Sequence, residues 1–261
     1  MKLKSTIKAL LHEEGNFYFI KEAYDLITAK KIPKYNAVKP LFKDKKGIEI
    51  GGPSSMFADS GSIPLYTVIC ELDGCNFSTK TLWEKSLSAG KTYQYHKKKV
   101  GNQFISEATN LNIIENESYD FLISSNCLEH IANPLQAVEE WLRVVKNEGI
   151  LLLALPNKAY NFDHNRPFTK FEHLLDDYKN NVGENDMTHF DEIMELHDLS
   201  MDLPAGTPEQ FRERSLRNLE NRGLHHHVFN TDLLREIFDF FNIETLFTEV
   251  GVDYVIVGRK K

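Results

Sequence analysis

The chain has 261 residues, of which 41% are hydrophobic and 26% charged, and its formal net charge is −7. These proportions fit one large globular domain, or one domain carrying a sizeable insertion. The acidic balance, with no basic stripe, argues against a duplex nucleic acid partner. No apolar run approaches the roughly 20 residues that span a bilayer, and Met1-Lys2-Leu3-Lys4 does not open a signal peptide. The expectation is a cytoplasmic protein with no nucleic acid and no membrane partner. Cys70, Cys75 and Cys127 lack metal-ligand spacing and suit reduced thiols.

Residues 1–45 read as a helical cap, with Leu10-Leu11 and Phe17-Tyr18-Phe19-Ile20 as its apolar surface and Pro33 and Pro40 at its exit. Residues 47–50 then form a buried strand that breaks into the turn Gly51-Gly52-Pro53-Ser54-Ser55. Glycine has no Cβ, so such a turn lets backbone approach a ligand, and after the first strand of an α/β sheet that ligand is nucleotide-like. The turn is not Gly-x-Gly-x-x-Gly and gives no case for NAD. A second strand is expected at 66–72, ending in Glu71 and Asp73, and Phe104-Ile105 leads through a short strand into Glu107-Ala108-Thr109. Residues 119–125 are a strong apolar strand. Residues 134–146 are a helix with Leu135, Val138, Leu142 and Val145 on one face, an Asn133 cap and Pro134 in its first turn. The apolar strand 150–155 follows. Strands alternating with helices argue a parallel sheet covered on both faces.

Residues 157–230 interrupt this rhythm with a polar, His-rich, acidic stretch, expected to lie over the carboxyl ends of the strands. Residues 231–241 form an amphipathic helix, and 243–250 and 254–259 close the sheet as a hairpin, which makes it mixed. The division is therefore a cap over 1–45, a cofactor-binding core over 46–156, an insertion forming the acceptor site over 157–230, and a closing unit over 231–261. Seven of the ten histidines lie in the insertion: His164, His173, His189, His197, His225, His226 and His227. Three readings stand open for them: a general base held by a carboxylate, a divalent metal that binds acceptor hydroxyls, or histidines satisfied within an irregular lid. No pair has the His-Glu-x-x-His spacing, so no metal ligand is assigned. In an extended backbone His225 and His227 face one way and His226 the other.

Several stretches, taken in order, resemble a known family. They are Glu49-Ile50-Gly51-Gly52, the acid after the second strand, Glu107-Ala108-Thr109, Tyr119-Asp120-Phe121, Ser125-Asn126-Cys127-Leu128-Glu129-His130, Asn133-Pro134, Arg143-Val144-Val145-Lys146 and Gly149-Ile150-Leu151-Leu152. The set resembles the class I S-adenosylmethionine-dependent methyltransferases over residues 45–156. Leu155-Pro156-Asn157-Lys158, Phe162-Asp163-His164-Asn165-Arg166-Pro167, His173-Leu174 and Leu224-His225-His226-His227-Val228-Phe229 are similar to a bacterial subfamily of those enzymes associated with cell-surface glycan biosynthesis. The Glu-Ile-Gly-Gly-Pro turn departs from the Gly-x-Gly of many members.

The resemblance implies an α/β, Rossmann-like methyltransferase fold: a seven-stranded mixed sheet with helices on both faces, an N-terminal helical cap and a His-rich insertion. It implies S-adenosylmethionine as cofactor, held by the Gly51-Gly52-Pro53 turn, with Glu49 reaching the amino group through water. Asp73, with Glu71 second, would take the ribose hydroxyls, Glu107 and Ala108 the adenine edge, and Asn126 the amino-acid end. Each of these acids also reads as a solvated loop carboxylate. His225, His227 and His164 are the candidate bases. His130, His226, His173 and Arg166 are candidate acceptor contacts, although His130 also reads as a loop cap and Arg166 as half of an ion pair with a lid acid. Lys97-Lys98-Lys99 reads as a solvated loop, and Trp83, Tyr93 and Tyr95 as cleft or packing residues. The expected reaction is O-methylation of a sugar or nucleotide-sugar hydroxyl in capsule or other surface-polysaccharide biosynthesis. The alternatives are N- or O-methylation of an amino or phosphorylated precursor, an NAD-dependent nucleotide-sugar enzyme, and a non-catalytic cofactor-binding partner protein.

Overall fold

The computed structural model describes residues 31–32, 35–84 and 86–261. Most of the expected cap lies outside the described residues. Within them, helix α1 (Tyr35–Val38) runs into a 3-10 turn at Lys39–Leu41. Eight strands build one mixed sheet: β1 (Lys46–Ile50), β2 (Glu71–Asn76), β3 (Gly90–His96), β4 (Lys99–Ile105), β5 (Tyr119–Ser125), β6 (Val145–Pro156), β7 (Ile243–Val250) and β8 (Asp253–Lys260). Their order is β3-β4-β2-β1-β5-β6-β8-β7. The five from β4 to β6 are mutually parallel, while β3, β8 and β7 each run antiparallel to the strand they pair with. This is the expected Rossmann-like class, with eight strands instead of seven because residues 90–96 fold back on β4 as an extra edge. Tyr93 and Tyr95 alternate inward along that strand while Thr92 and Gln94 stay exposed, the period-2 pattern of a half-buried edge.

The second strand begins five residues later than expected. Residues 66–69 look like a strand because they are apolar and β-branched, but they form a loop whose Tyr66 and Ile69 are buried against the sheet. The strand itself, Leu72-Asp73-Gly74-Cys75, is small at Gly74 because the Tyr93 ring occupies the space above it. A Cβ on Gly74 would lie 2.2 Å from the Tyr93 ring.

Alternation along the central strands divides the core into two layers. Leu122, Leu151 and Leu153 face one side, against α2 (Pro134–Val144), α3 (Phe171–Lys179) and α7 (Thr231–Phe240). Phe121, Ile123 and Leu152 face the other, against α1 and the loop bearing Phe57, Leu65 and Tyr66. Helix α2 is capped as expected, the Asn133 side chain accepting from Gln136 N at 3.1 Å. It stops at Val144, and the chain enters β6 directly. The insertion carries α3, α4 (Phe190–Leu196), α5 (Pro208–Leu216) and α6 (Asn218–Asn221). Between β1 and β2 the described chain holds only a 3-10 turn at Ser55–Phe57. Strand order reverses between β1 and β5, and their carboxyl ends define the crevice where doubly wound sheets bind ligands.

Candidate active site

At the end of β1, Gly51 is exposed at φ +82°, a left-handed conformation natural to glycine. A Cβ there would come within 2.9 Å of Cys127, which follows β5. Pro53 is exposed beside it, and Asn126, also exposed, adopts φ +48° just past β5. These residues stand together at the mouth of the β1–β5 crevice. Gly52 is buried, and its carbonyl accepts from the Asn76 side chain at 3.0 Å.

Glu49 faces inward, where Tyr93 donates to its Oε2 at 2.6 Å, Tyr66 donates to the same oxygen at 2.7 Å, and Ser54 N donates to Oε1 at 2.9 Å. Burial pushes its carboxyl up to about 7, against the pull of those hydrogen bonds. Glu49 thus clamps the turn from beneath, which places it as a support for the glycines instead of at the crevice surface.

The ribose assignment to Asp73 requires correction. Asp73 pairs in register with Ile48, mid-strand, and its carboxylate accepts from Asn102 N at 2.7 Å and Tyr119 OH at 2.9 Å. Because the strand starts late, Glu71 falls at its opposite end and the carboxyl end carries Asn76 and Phe77. At the end of β4, Glu107 is half exposed and pairs with Arg222 of the insertion at 2.7 Å. The Arg222 guanidinium lies 5.1 Å from the Phe77 ring centre and also meets Glu184 at 2.5 Å. Ala108 is half-buried, its carbonyl taken by Trp141 Nε1 at 2.9 Å. The exposed Gly51 backbone, Asn126 and Glu107 fit a nucleoside-bearing cofactor. An acid for its ribose is missing from the end of β2.

Beyond β5 and β6 a cleft opens between the sheet and the insertion, lined by Trp83, Asn126, Glu129, His130, Phe162 and His225 among others. On its wall stands one half of a pair that sequence distance conceals: His225 Nδ1 lies 2.5 Å from Oδ2 of Asp163, buried behind it. Burial alone lowers the imidazole's proton affinity, but the facing Asp163 carboxylate, helped by Glu129, outweighs it and the net direction is up. Burial would raise Asp163, yet His225 and Arg166 hold it well below the usual carboxylate range. Glu129 is buried with both carboxylate oxygens lacking a hydrogen-bond partner, and burial pushes it up to about 7 against the pull of His225. His130 packs edge-on to His225, ring centres 4.5 Å apart, and its Nδ1 lies 3.0 Å from Leu224 O. Burial, then the neighbouring His225, drives its proton affinity down.

The remaining predicted residues are dispersed. Arg166 is 1% exposed and bonds Asp163 Oδ1 at 2.9 Å, Glu192 Oε1 at 2.8 Å and His225 O at 2.8 Å. It is an internal strut of the insertion, which corrects its assignment as an acceptor anchor. His164 is exposed and engages Asp198 at 2.8 Å, outside the cleft lining, so it is not placed as a base. The three consecutive histidines enter three environments: His225 the cleft, His226 a buried contact with Asn218 at 3.1 Å, and His227 a cluster with His173 and His189. His225 and His227 both line a small pocket with Glu129 and Asp163, but only His225 reaches the larger cleft. The sequence reading missed Glu129 as a site residue and Asp163 as the partner of His225. The acid beside His130 in Leu128-Glu129-His130 was the available signal. The Asp163–His225 pairing, 62 positions apart, left none.

Residues 65–153 match the family model described as a methyltransferase domain. Among curated proteins no sequence matches the chain. Among solved structures, the fold is similar to an S-adenosylmethionine-dependent methyltransferase from Mesorhizobium loti, at 10% identity and a TM-score of 0.51, covering 90% of this chain and 100% of that one. A methyltransferase from Methanosarcina mazei aligns at 17% identity and a TM-score of 0.47, covering 88% and 99%. A possible histamine N-methyltransferase from Thermotoga maritima aligns at 16% and 0.45, covering 94% and 93%. Residues 65–153 thus carry a methyltransferase domain, by which the chain is an S-adenosylmethionine-dependent methyltransferase, and the fold around it is Rossmann-like. No helix among the described residues is long and apolar enough to cross a membrane.

Proposed function

We propose that the enzyme methylates a hydroxyl of a small sugar or nucleotide-activated sugar, in the assembly of capsule or another surface polysaccharide, within the cleft between the core and the insertion 157–230. The observation that carries this reading is His225 on the cleft wall, paired with Asp163 buried behind it. A hydroxyl must lose its proton as its oxygen takes the methyl group, and a carboxylate-oriented imidazole is the base suited to that near neutral pH. Asp163 fixes Nδ1 and leaves Nε2 for the acceptor. The cofactor supplies an activated methyl group on a sulfonium centre. The exposed Gly51 turn, Asn126 and Glu107 are the residues that would hold it. Proximity contributes the larger part of the rate and the base roughly 10²–10⁴-fold. In a lining that also holds Leu82, Trp83, Phe162 and Met201, Asn161, Asp202 and Arg214 supply hydrogen-bonding groups for a hydroxylated acceptor, and the sequence resemblance of the insertion supports a glycan.

The test is turnover with S-adenosylmethionine and a panel of nucleotide-activated and phosphorylated sugars, with the methylated atom located by mass spectrometry and NMR. We expect a methyl group on a sugar oxygen. Asp163→Asn and His225→Gln should each lower kcat by about 10²–10⁴-fold at unchanged cofactor affinity. Transfer only to nitrogen, or full turnover by His225→Gln, defeats the assignment.

A further inference from the structure

The histidine cluster around His227 is separate from the Asp163–His225 pair and is used by nothing above. His173 sits on α3, His189 immediately precedes α4, and His227 lies in the irregular segment after α6. One ring nitrogen from each falls within 4.8 Å of the others, and His173 Nε2 approaches His189 Nε2 to 2.9 Å. Asp177, four residues after His173 on the same helix, turns its Oδ2 into the group, 3.4 Å from His173 Nε2 and 3.8 Å from His227 Nε2. That oxygen is buried and has no hydrogen-bond partner; His227 Nε2 also lies 3.2 Å from Ala132 O, a contact it would give up to bind an ion, while its Nδ1 has none. The polypeptide therefore gathers three imidazoles beside a buried carboxylate oxygen that is left unsatisfied.

We propose that His173, His189, His227 and Asp177 form a tetrahedral zinc site that fastens the insertion together. Zinc takes imidazole nitrogen and carboxylate oxygen at about 2.0–2.2 Å, so the ligands of a tetrahedral ion stand roughly 3.4 Å apart. The spacings here bracket that value. Four protein ligands leave no open position, which makes the site structural. It ties α3, the turn before α4 and the 224–230 segment into one unit, and His227 stands two residues from His225. The ion would hold the segment that presents His225, without touching the acceptor.

The experiment uses the full chain, stripped of metal by chelation and titrated with zinc chloride alone, read by calorimetry, elemental analysis and thermal melting. We expect one zinc per chain and, at a hundredfold excess over Kd, a Tm higher by about 5–10 °C. His173→Ala and His189→Ala should each weaken binding by more than the roughly 10–100-fold typical of outer-shell changes. Asp177→Asn, which keeps shape and packing, should weaken it as well, and His164→Ala should leave it unchanged. Cobalt(II) in place of zinc should show the intense visible bands of a tetrahedral site, lost in His189→Ala. Circular dichroism of the metal-free variants separates lost binding from lost folding. No zinc uptake by the folded, stripped protein overturns the proposal. So does binding that survives His189→Ala and Asp177→Asn, and so does binding lost on His130→Ala but kept in His189→Ala, which would move the ion to the cleft.

Discussion

Replacing Glu49 by Gln should change how stability depends on pH. The carboxyl sits in the fold at about 7 against an ordinary 4.5, because burial penalises its charge more than Tyr93, Tyr66 and Ser54 stabilise it. A carboxyl raised in this way favours the fold while it is protonated. Its contribution is complete below pH 4.5 and is lost as pH rises through 7. At about 1.4 kcal/mol per tenfold change in proton affinity, the ionised group costs the fold about 3 kcal/mol by pH 8. Glutamine has the shape of the protonated acid and cannot ionise, and its amide can donate to a phenol oxygen that rotates to accept. Urea unfolding of both proteins at pH 5 and pH 8 measures the difference. Relative to wild type, Glu49→Gln should gain about 2 to 3 kcal/mol between those two pH values. Glu129, raised in the same direction, acts equally in both proteins and cancels. Parallel stability curves would show that Glu49 ionises freely, and the account of a buried acid that keeps its proton up to about pH 7 would be wrong.

Gly51→Ala should weaken S-adenosylmethionine binding in calorimetry while costing about 1–2 kcal/mol of stability, because φ +82° is unfavourable for alanine and its Cβ meets Cys127. Unchanged cofactor affinity would remove the turn from the cofactor site. Arg166→Met should destabilise by about 3–5 kcal/mol in chemical unfolding, since it leaves Asp163 buried beside His225 without its second cation and frees Glu192. A loss under about 1 kcal/mol would mean that the strut is not needed.

The fold was legible where local pattern and tertiary role agree. Strand 119–125 is apolar on both faces because it is central, and Asn133-Pro134 starts a helix whatever surrounds it. The closing helix and hairpin follow from the same kind of signal. It failed where burial is supplied by neighbours. Thr67-Val68-Ile69 has strand composition but packs as a loop, whereas Asp73-Gly74-Cys75 has loop composition but is a strand, because Tyr93 occupies the space that a larger residue than Gly74 would need. That one displacement moved Asp73 from the strand end, where a ribose would reach it, to mid-strand, where Tyr119 and Asn102 do.

The site divides along the same physical line. Gly51, Asn126 and Glu107 could be placed from sequence because each follows directly on a strand end, and a strand end fixes its position in space. The insertion has no such frame. His164 and His225 look alike in a polar, acidic stretch, and what separates them is which carboxylate each one finds: Asp198 at the surface, or Asp163 behind the cleft. Arg166 decides that arrangement. Its guanidinium binds Asp163 and the backbone carbonyl of His225 at once, so the carboxylate and the imidazole are held by one cation before any acceptor arrives. The order of cause is therefore from strut to pair to cleft, and the buried arginine, which does not line the cleft, sets where His225 stands.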